Sequence, residues 1–139
     1  MRAGFTMPEL LIVLAVTAIL AGISLPAILG MRDRITVRLA AVDAARALAD
    51  ARSAALTAAR RTAVHIDAAR NTLTVYAGAD TVRTLYLDEY GVRLSTTRDS
   101  IAFGPTGIGW GAATATITIT RGTASTALAV SRIGRIRRT

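Results

Sequence analysis

The stretch GFTMPELLIVLAVTAILAGISLPAILGM, Gly4 to Met31, decides how the rest of the chain is read. From Leu10 to Met31 it runs 22 residues without a charge, about 33 Å of helix at about 1.5 Å per residue, which matches a bilayer core. Glu9 stands just inside this apolar run. An ionised carboxylate there costs a few kcal/mol unless something pairs with it, so the position asks for a partner. Pro26 falls within the helical pattern, where it removes one backbone hydrogen bond and crowds the carbonyl of Gly22. A kink or locally melted turn is expected over Gly22 to Pro26; a mild, tolerated membrane-helix proline is the alternative.

The segment Gly4-Phe5-Thr6-Met7-Pro8-Glu9-Leu10-Leu11-Ile12-Val13 resembles the processing site of type IV pilins and type II secretion pseudopilins. The resemblance implies that a prepilin peptidase cuts between Gly4 and Phe5 and that the new amine of Phe5 is methylated. It also implies that Glu9, five residues into the mature chain, serves subunit assembly. The physics agrees: a carboxylate inside an apolar filament core opposes assembly if unpaired and sets register when paired with a neighbour's amine. An ordinary signal peptide or anchor is the alternative, cut after Leu25-Pro26-Ala27 and leaving a chain that starts near Ile28.

The composition narrows the chemistry. The chain has 139 residues, about one domain, with 17 basic residues, all of them Arg, 9 acidic residues, 1 His and no Cys. A thiolate nucleophile and a Cys zinc site are excluded, and a multi-His metal site nearly so. No Ser-His-Asp ordering or paired-carboxylate motif is visible. No enzyme activity and no cofactor are expected. The net charge of +8 favours anionic partners, nucleic acid or acidic lipid headgroups.

From Arg32 to about Arg61 the sequence is Ala-rich and free of Gly and Pro, so the helix is expected to continue. Ile35, Leu39, Val42, Ala45, Ala49, Leu56, Ala59 and Ala63 recur at three- and four-residue steps and read as its buried face. Thr36, Asp43, Arg46, Asp50, Ser53, Thr57 and Arg60 read as the opposite face, with Asp43 to Arg46 and Arg46 to Asp50 at pairing distance. Leu48 to Asp67, through Ala51-Arg52-Ser53-Ala54-Ala55 and Val64-His65-Ile66, resembles the matching segment of the GspH/FimT group of minor pilins and pseudopilins. His65 reads as a structural or surface residue, since no other His or Cys could complete a metal site.

Beyond the helix the period changes to two, with short strands expected over 63–67, 72–76, 82–87, 92–94, 101–103, 114–120 and 127–133. A long helix followed by antiparallel strands gives an α+β, type IV pilin-like fold, the helix burying one stripe against the sheet. The loop from Gly104 to Gly111 lacks the Lys-Ser or Lys-Thr of a phosphate loop, and no helix opens after it, so it reads as a strand connection. Trp110 within it is expected to pack.

No acidic residue follows Asp99, while Arg121, Arg132, Arg135, Arg137 and Arg138 do. In an extended end Arg135 and Arg137 project to one side and Ile136 to the other, with Arg132 and Arg138 flanking. The segment from Ala129 to Arg137 resembles the closing strand of the GspH/FimT group, and the Gly-Arg-x-Arg ending resembles, more narrowly, FimT minor pilins whose arginines bind DNA for uptake. A solvated charged terminus is the alternative.

The expected organisation is a leader over 1–4, a transmembrane and filament-core helix over 5–31, an amphipathic helix over 32–62 and a β head over 63–139. The resemblance implies a low-abundance structural subunit of a type II secretion pseudopilus or a type IV pilus. Its expected partners are prepilin peptidase, other pilin or pseudopilin subunits, membrane lipid before assembly, and DNA if the arginines bind it. Inner-membrane insertion with the head in the periplasm follows from the family. Arg2 before the span and Arg32 and Arg34 after it give no positive-inside bias.

Overall fold

Among the described residues one α-helix, α1 (Met7–Thr57), is followed by nine strands. The computed structural model describes residues 5–111 and 113–139; Gly4, and with it the expected cleavage point, lies outside the described residues. Contacts divide the chain into a unit ending at Arg32 and a second unit, Asp33–Thr139.

In the first unit the apolar side chains from Leu10 to Met31 all lie exposed. The Thr17 hydroxyl donates to the Val13 and Leu14 carbonyls, both at 2.9 Å, so this polar group is satisfied inside the helix. Helical structure runs without interruption through Gly22 and Pro26.

In the second unit β1 (Thr62–Asp67), β2 (Thr72–Ala77), β3 (Asp80–Tyr86), β5 (Ser100–Phe103) and β6 (Gly109–Trp110) form one antiparallel sheet, in the order β3-β2-β1-β5-β6. A second antiparallel sheet has the order β4-β7-β8-β9, from Arg93–Thr96, Ala115–Arg121, Ala124–Val130 and Ile136–Arg138. The period-two pattern anticipated most of these strands. The expected strand over 127–133 differs: Gly122, at φ +55°, opens a two-residue loop that pairs Arg121 with Ala124, so β8 starts early and ends at Val130. Strand β6 lies inside what the sequence presents as a pure glycine loop.

The buried face of α1 is not the one expected. Val37, Ala40, Ala41, Ala44, Ala47, Leu48, Ala51 and Ala55 enter the core, joined there by Val64, Leu73, Phe103, Ile117 and Leu128 from the two sheets. Ile35, Leu39 and Leu56 are about half exposed, at 47%, 54% and 50%. At about 100° per residue, Ile35 and Val37 point about 200° apart, so the bulky stripe is diametrically opposite the alanine stripe. Alanine admits the close helix-to-sheet approach that Ile and Leu would block, and close packing decides the orientation.

The helix ends at Thr57, short of the expected Thr62. Its exit residue Ala59 takes φ +46°. The Thr62 hydroxyl, the sole buried polar side chain among the described residues, donates to the Ala51 carbonyl at 2.7 Å and fixes the start of β1 beside the helix. The Ala-rich sequence could continue as helix, but pairing of β1 with β2 and β5 requires an extended backbone from Thr62 onward.

Candidate functional site

The described N-terminus is built around Glu9. Thr6 and Glu9 are spaced as a capping box, and the Thr6 N–H donates to Glu9 Oε2 at 3.4 Å. The Leu10 and Glu9 amides in turn donate to the Thr6 carbonyl, at 3.2 and 3.1 Å. Glu9 is thereby held in the first turn of α1, where the amide dipoles favour a negative charge. Phe5, 75% exposed, sits just ahead of the helix with no covering side chain among the described residues.

The other candidate is the basic C-terminus, and the structure separates its arginines. Arg121 is not a free cation: its Nε donates to Asp33 Oδ1 at 2.9 Å and its Nη1 to the Tyr90 carbonyl. Ser131 to Gly134 form a turn in which the Gly134 amide donates to the Ser131 carbonyl at 2.9 Å. Arg132 and Arg135 are exposed at either end of that turn, and neither lies in a strand. In β9, Ile136 packs against the core and Arg137 is exposed on the other side. Arg138 returns to the side of Ile136 and lines a groove of about 330 Å³ with Ala41, Val42 and Leu128. Arg132, Arg135, Arg137 and Arg138 are all exposed and make no ion pair among the described residues.

Arg52, which lies in a quoted segment but carried no assigned role, organises this end of the molecule. From α1 its Nε donates to the Gly107 carbonyl at 2.9 Å and its Nη1 to the Gly134 carbonyl at 3.4 Å. The Gly109 amide donates to the Arg132 carbonyl at 2.8 Å, tying the glycine loop directly to the C-terminal turn. Gly134 has φ +74°, and a Cβ there would lie 2.8 Å from the Gly107 oxygen. The glycine of the Gly-Arg-x-Arg ending is thus required by backbone geometry. The loop amides of Gly104, Gly107 and Gly109 all donate to carbonyls, which leaves none of them for a phosphate. Trp110 is 57% exposed, with its ring against Gly104, so it is more solvent-facing than the packing expectation held. His65 is exposed on β1, opposite Thr74 and Ser100.

Residues 1–25 match the family model for the prokaryotic N-terminal methylation motif. Two crystal forms of the type IV minor pilin FimU from Pseudomonas aeruginosa PAO1 share the architecture. One matches at 18% identity over 76% of this chain and 90% of that one, with a TM-score of 0.66. The other matches at 17% identity over 73% and 91%, with a TM-score of 0.62. The minor pseudopilin EpsH from the type 2 secretion system of Vibrio cholerae matches at 15% identity over 74% and 95%, with a TM-score of 0.59. This is the type IV pilin fold. No curated protein matches the chain in sequence.

The pilin fold and the methylation motif account for different parts of the molecule. The motif covers Gly4, Phe5, Glu9 and Gly22 and stops before Pro26. The long helix packed on antiparallel sheets accounts for the alanine stripe and for the seat of Arg52. The motif implies processing by prepilin peptidase and assembly with other pilins, and α1 is long and apolar enough to cross a membrane.

Proposed function

We propose that the chain is a structural minor pilin or pseudopilin subunit, cut between Gly4 and Phe5, methylated at Phe5 and assembled through α1. The observation that carries this reading is the uncovered apolar surface from Leu10 to Met31, headed by Glu9 and continued by Ile35, Leu39 and Val42. Lipid covers the spanning part before assembly, and neighbouring helices cover it afterwards. Paired with a neighbour's Phe5 amine, the Glu9 carboxylate fixes register, and Gly22 to Pro26 is the place where the helix loosens in the filament. The head lies outside the inner membrane, and its role is structural, without catalysis.

Intact mass of the exported protein tests the processing. A mature chain beginning at methylated Phe5 is expected, and one beginning near Ile28 overturns the reading. Glu9→Leu is expected to leave cleavage intact and abolish co-purification with the other subunits of the filament.

A second reading, contact with DNA, is favoured by the outward, unpaired Arg132, Arg135 and Arg137 at the end of a chain with no acidic residue after Asp99. Such contact is to the phosphate backbone, with a log–log salt slope of about −0.9 per phosphate neutralised on duplex. Titration of the detergent-solubilised chain with duplex DNA at two salt concentrations tests it. Equal binding by the Arg135→Gln/Arg137→Gln variant excludes the tail as the site.

A further inference from the structure

A pocket of about 300 Å³ opens between α1 and the β7–β8 hairpin, lined by Arg34 and Arg38 from the helix and by Thr123, Ser125 and Thr126 from the hairpin. Arg34 and Arg38 are one turn apart on the same side of α1. No carboxylate lines the pocket. Neither guanidinium makes an ion pair among the described residues, and the acid beside them in sequence, Asp33, is taken by Arg121 at 2.9 Å. Two planar guanidinium forks beside a hydroxyl-bearing hairpin, with no competing carboxylate in the lining, make a receptor for a tetrahedral oxyanion such as a phosphate ester.

The position along the chain selects which one. Arg34 and Arg38 follow the last residue of the uncharged run, Met31, by three and seven residues, or about 5 and 10 Å of helix. The headgroup layer of a bilayer begins where its hydrocarbon ends and is about 5 to 7 Å deep on each side, so Arg34 stands at that depth and the long side chain of Arg38, leaning toward the helix N-terminus, reaches back into it. We infer that this pocket binds the phosphate of an anionic phospholipid headgroup and so sets the depth at which the chain rests before assembly. The inference rests on Leu10 to Met31 being the membrane span. It also gives a reason for arginines to follow the span, where charge counting alone gives no orientation.

The test uses the full chain in neutral detergent, with bound phosphatidylglycerol and phosphatidylcholine counted by native mass spectrometry. Flotation with phosphatidylcholine vesicles tests insertion separately. Phosphatidylglycerol is expected to be preferred by roughly twenty-five-fold, at about fivefold per arginine near the surface. The preference is expected to fall about fivefold in Arg38→Gln, to vanish in Arg34→Gln/Arg38→Gln, and to survive in Arg135→Gln/Arg137→Gln. Melting temperatures equal to the parent's show that the variants are folded. A preference kept by the Arg34→Gln/Arg38→Gln variant, or lost in the C-terminal one, overturns the proposal. Soluble glycerol 1-phosphate bound as tightly as the lipid also overturns it, in favour of a free phosphate ester. A chain that floats but shows no preference refutes the headgroup site alone, whereas a chain that does not float refutes the span and the site with it.

Discussion

Arg52 on α1 reaches the Gly134 carbonyl, 82 positions further along the chain, while its Nε holds the Gly107 carbonyl at 2.9 Å. One partly buried guanidinium therefore joins the helix, the glycine loop and the C-terminal turn. Charge-assisted hydrogen bonds contribute about 1.5 to 3 kcal/mol each when well formed, and the 3.4 Å bond falls short of that. Arg52→Gln is expected to cost about 2 kcal/mol in urea denaturation. Gly134→Ala is expected to cost as much or more, since its Cβ enters left-handed backbone against the Gly107 oxygen.

The two stripes of α1 separate stability from assembly. Ala44 is fully buried in the core, and Ala44→Leu is expected to destabilise the head by about 1 to 3 kcal/mol through overpacking. Leu39 is 54% exposed, and Leu39→Ser is expected to move the unfolding midpoint by no more than about 0.5 kcal/mol while weakening co-purification with partner subunits. Thermal melts and pull-downs on the same two proteins check this. Equal melting temperatures for both variants would contradict the assigned buried face.

Ala59 carries φ +46° where the helix gives way to the turn before β1. Left-handed backbone is strained for alanine and free for glycine. Ala59→Gly is expected to stabilise the protein by about 0.5 to 1 kcal/mol, visible as a higher melting temperature.

The Tyr90 hydroxyl donates to the Asp43 carboxylate. That bond, then burial, then the charges of Asp43 and Glu89 raise the Tyr90 pKa above its usual value of 10.0. The native state therefore keeps a proton that the unfolded chain gives up near pH 10. The stabilisation is fully present below pH 10 and is lost as pH rises through the raised native value. Tyr90→Phe is expected to be less stable than the parent at pH 7 and to show a shallower loss between pH 10 and 11, by denaturation at each pH. Parallel pH profiles would refute the coupling.

The apolar run and the alternating strands were legible because their signals lie in side-chain polarity. The orientation of α1 was not, because both of its faces are apolar, and the periodicity singles out the bulkier stripe when close packing selects the alanines. The end of the helix at Thr57 was equally hidden, since alanine favours helix on both sides of it and only the pairing of β1 halts it. Arg52 bonds to backbone carbonyls, which leave no trace in residue identity; the clue was two glycines, Gly107 and Gly134, standing where a Cβ would collide. The pairing of Asp50 went to Arg83, 33 positions away at 2.8 Å, and not to the helical neighbour Arg46.

The C-terminal segment is tied in twice more, by the reciprocal bonds between Ala127 and Thr139, at 3.0 and 2.9 Å. The Arg52 bond to Gly134 joins the second half of the helix to this segment, so the loop it closes spans most of the head, and such loops close late in folding. A chain cut before residue 130 keeps the Gly107 carbonyl but lacks both the Gly134 carbonyl that Arg52 also reaches and the strand β9. Truncation after Ala129 is therefore expected to yield an open, protease-sensitive molecule, read by limited proteolysis.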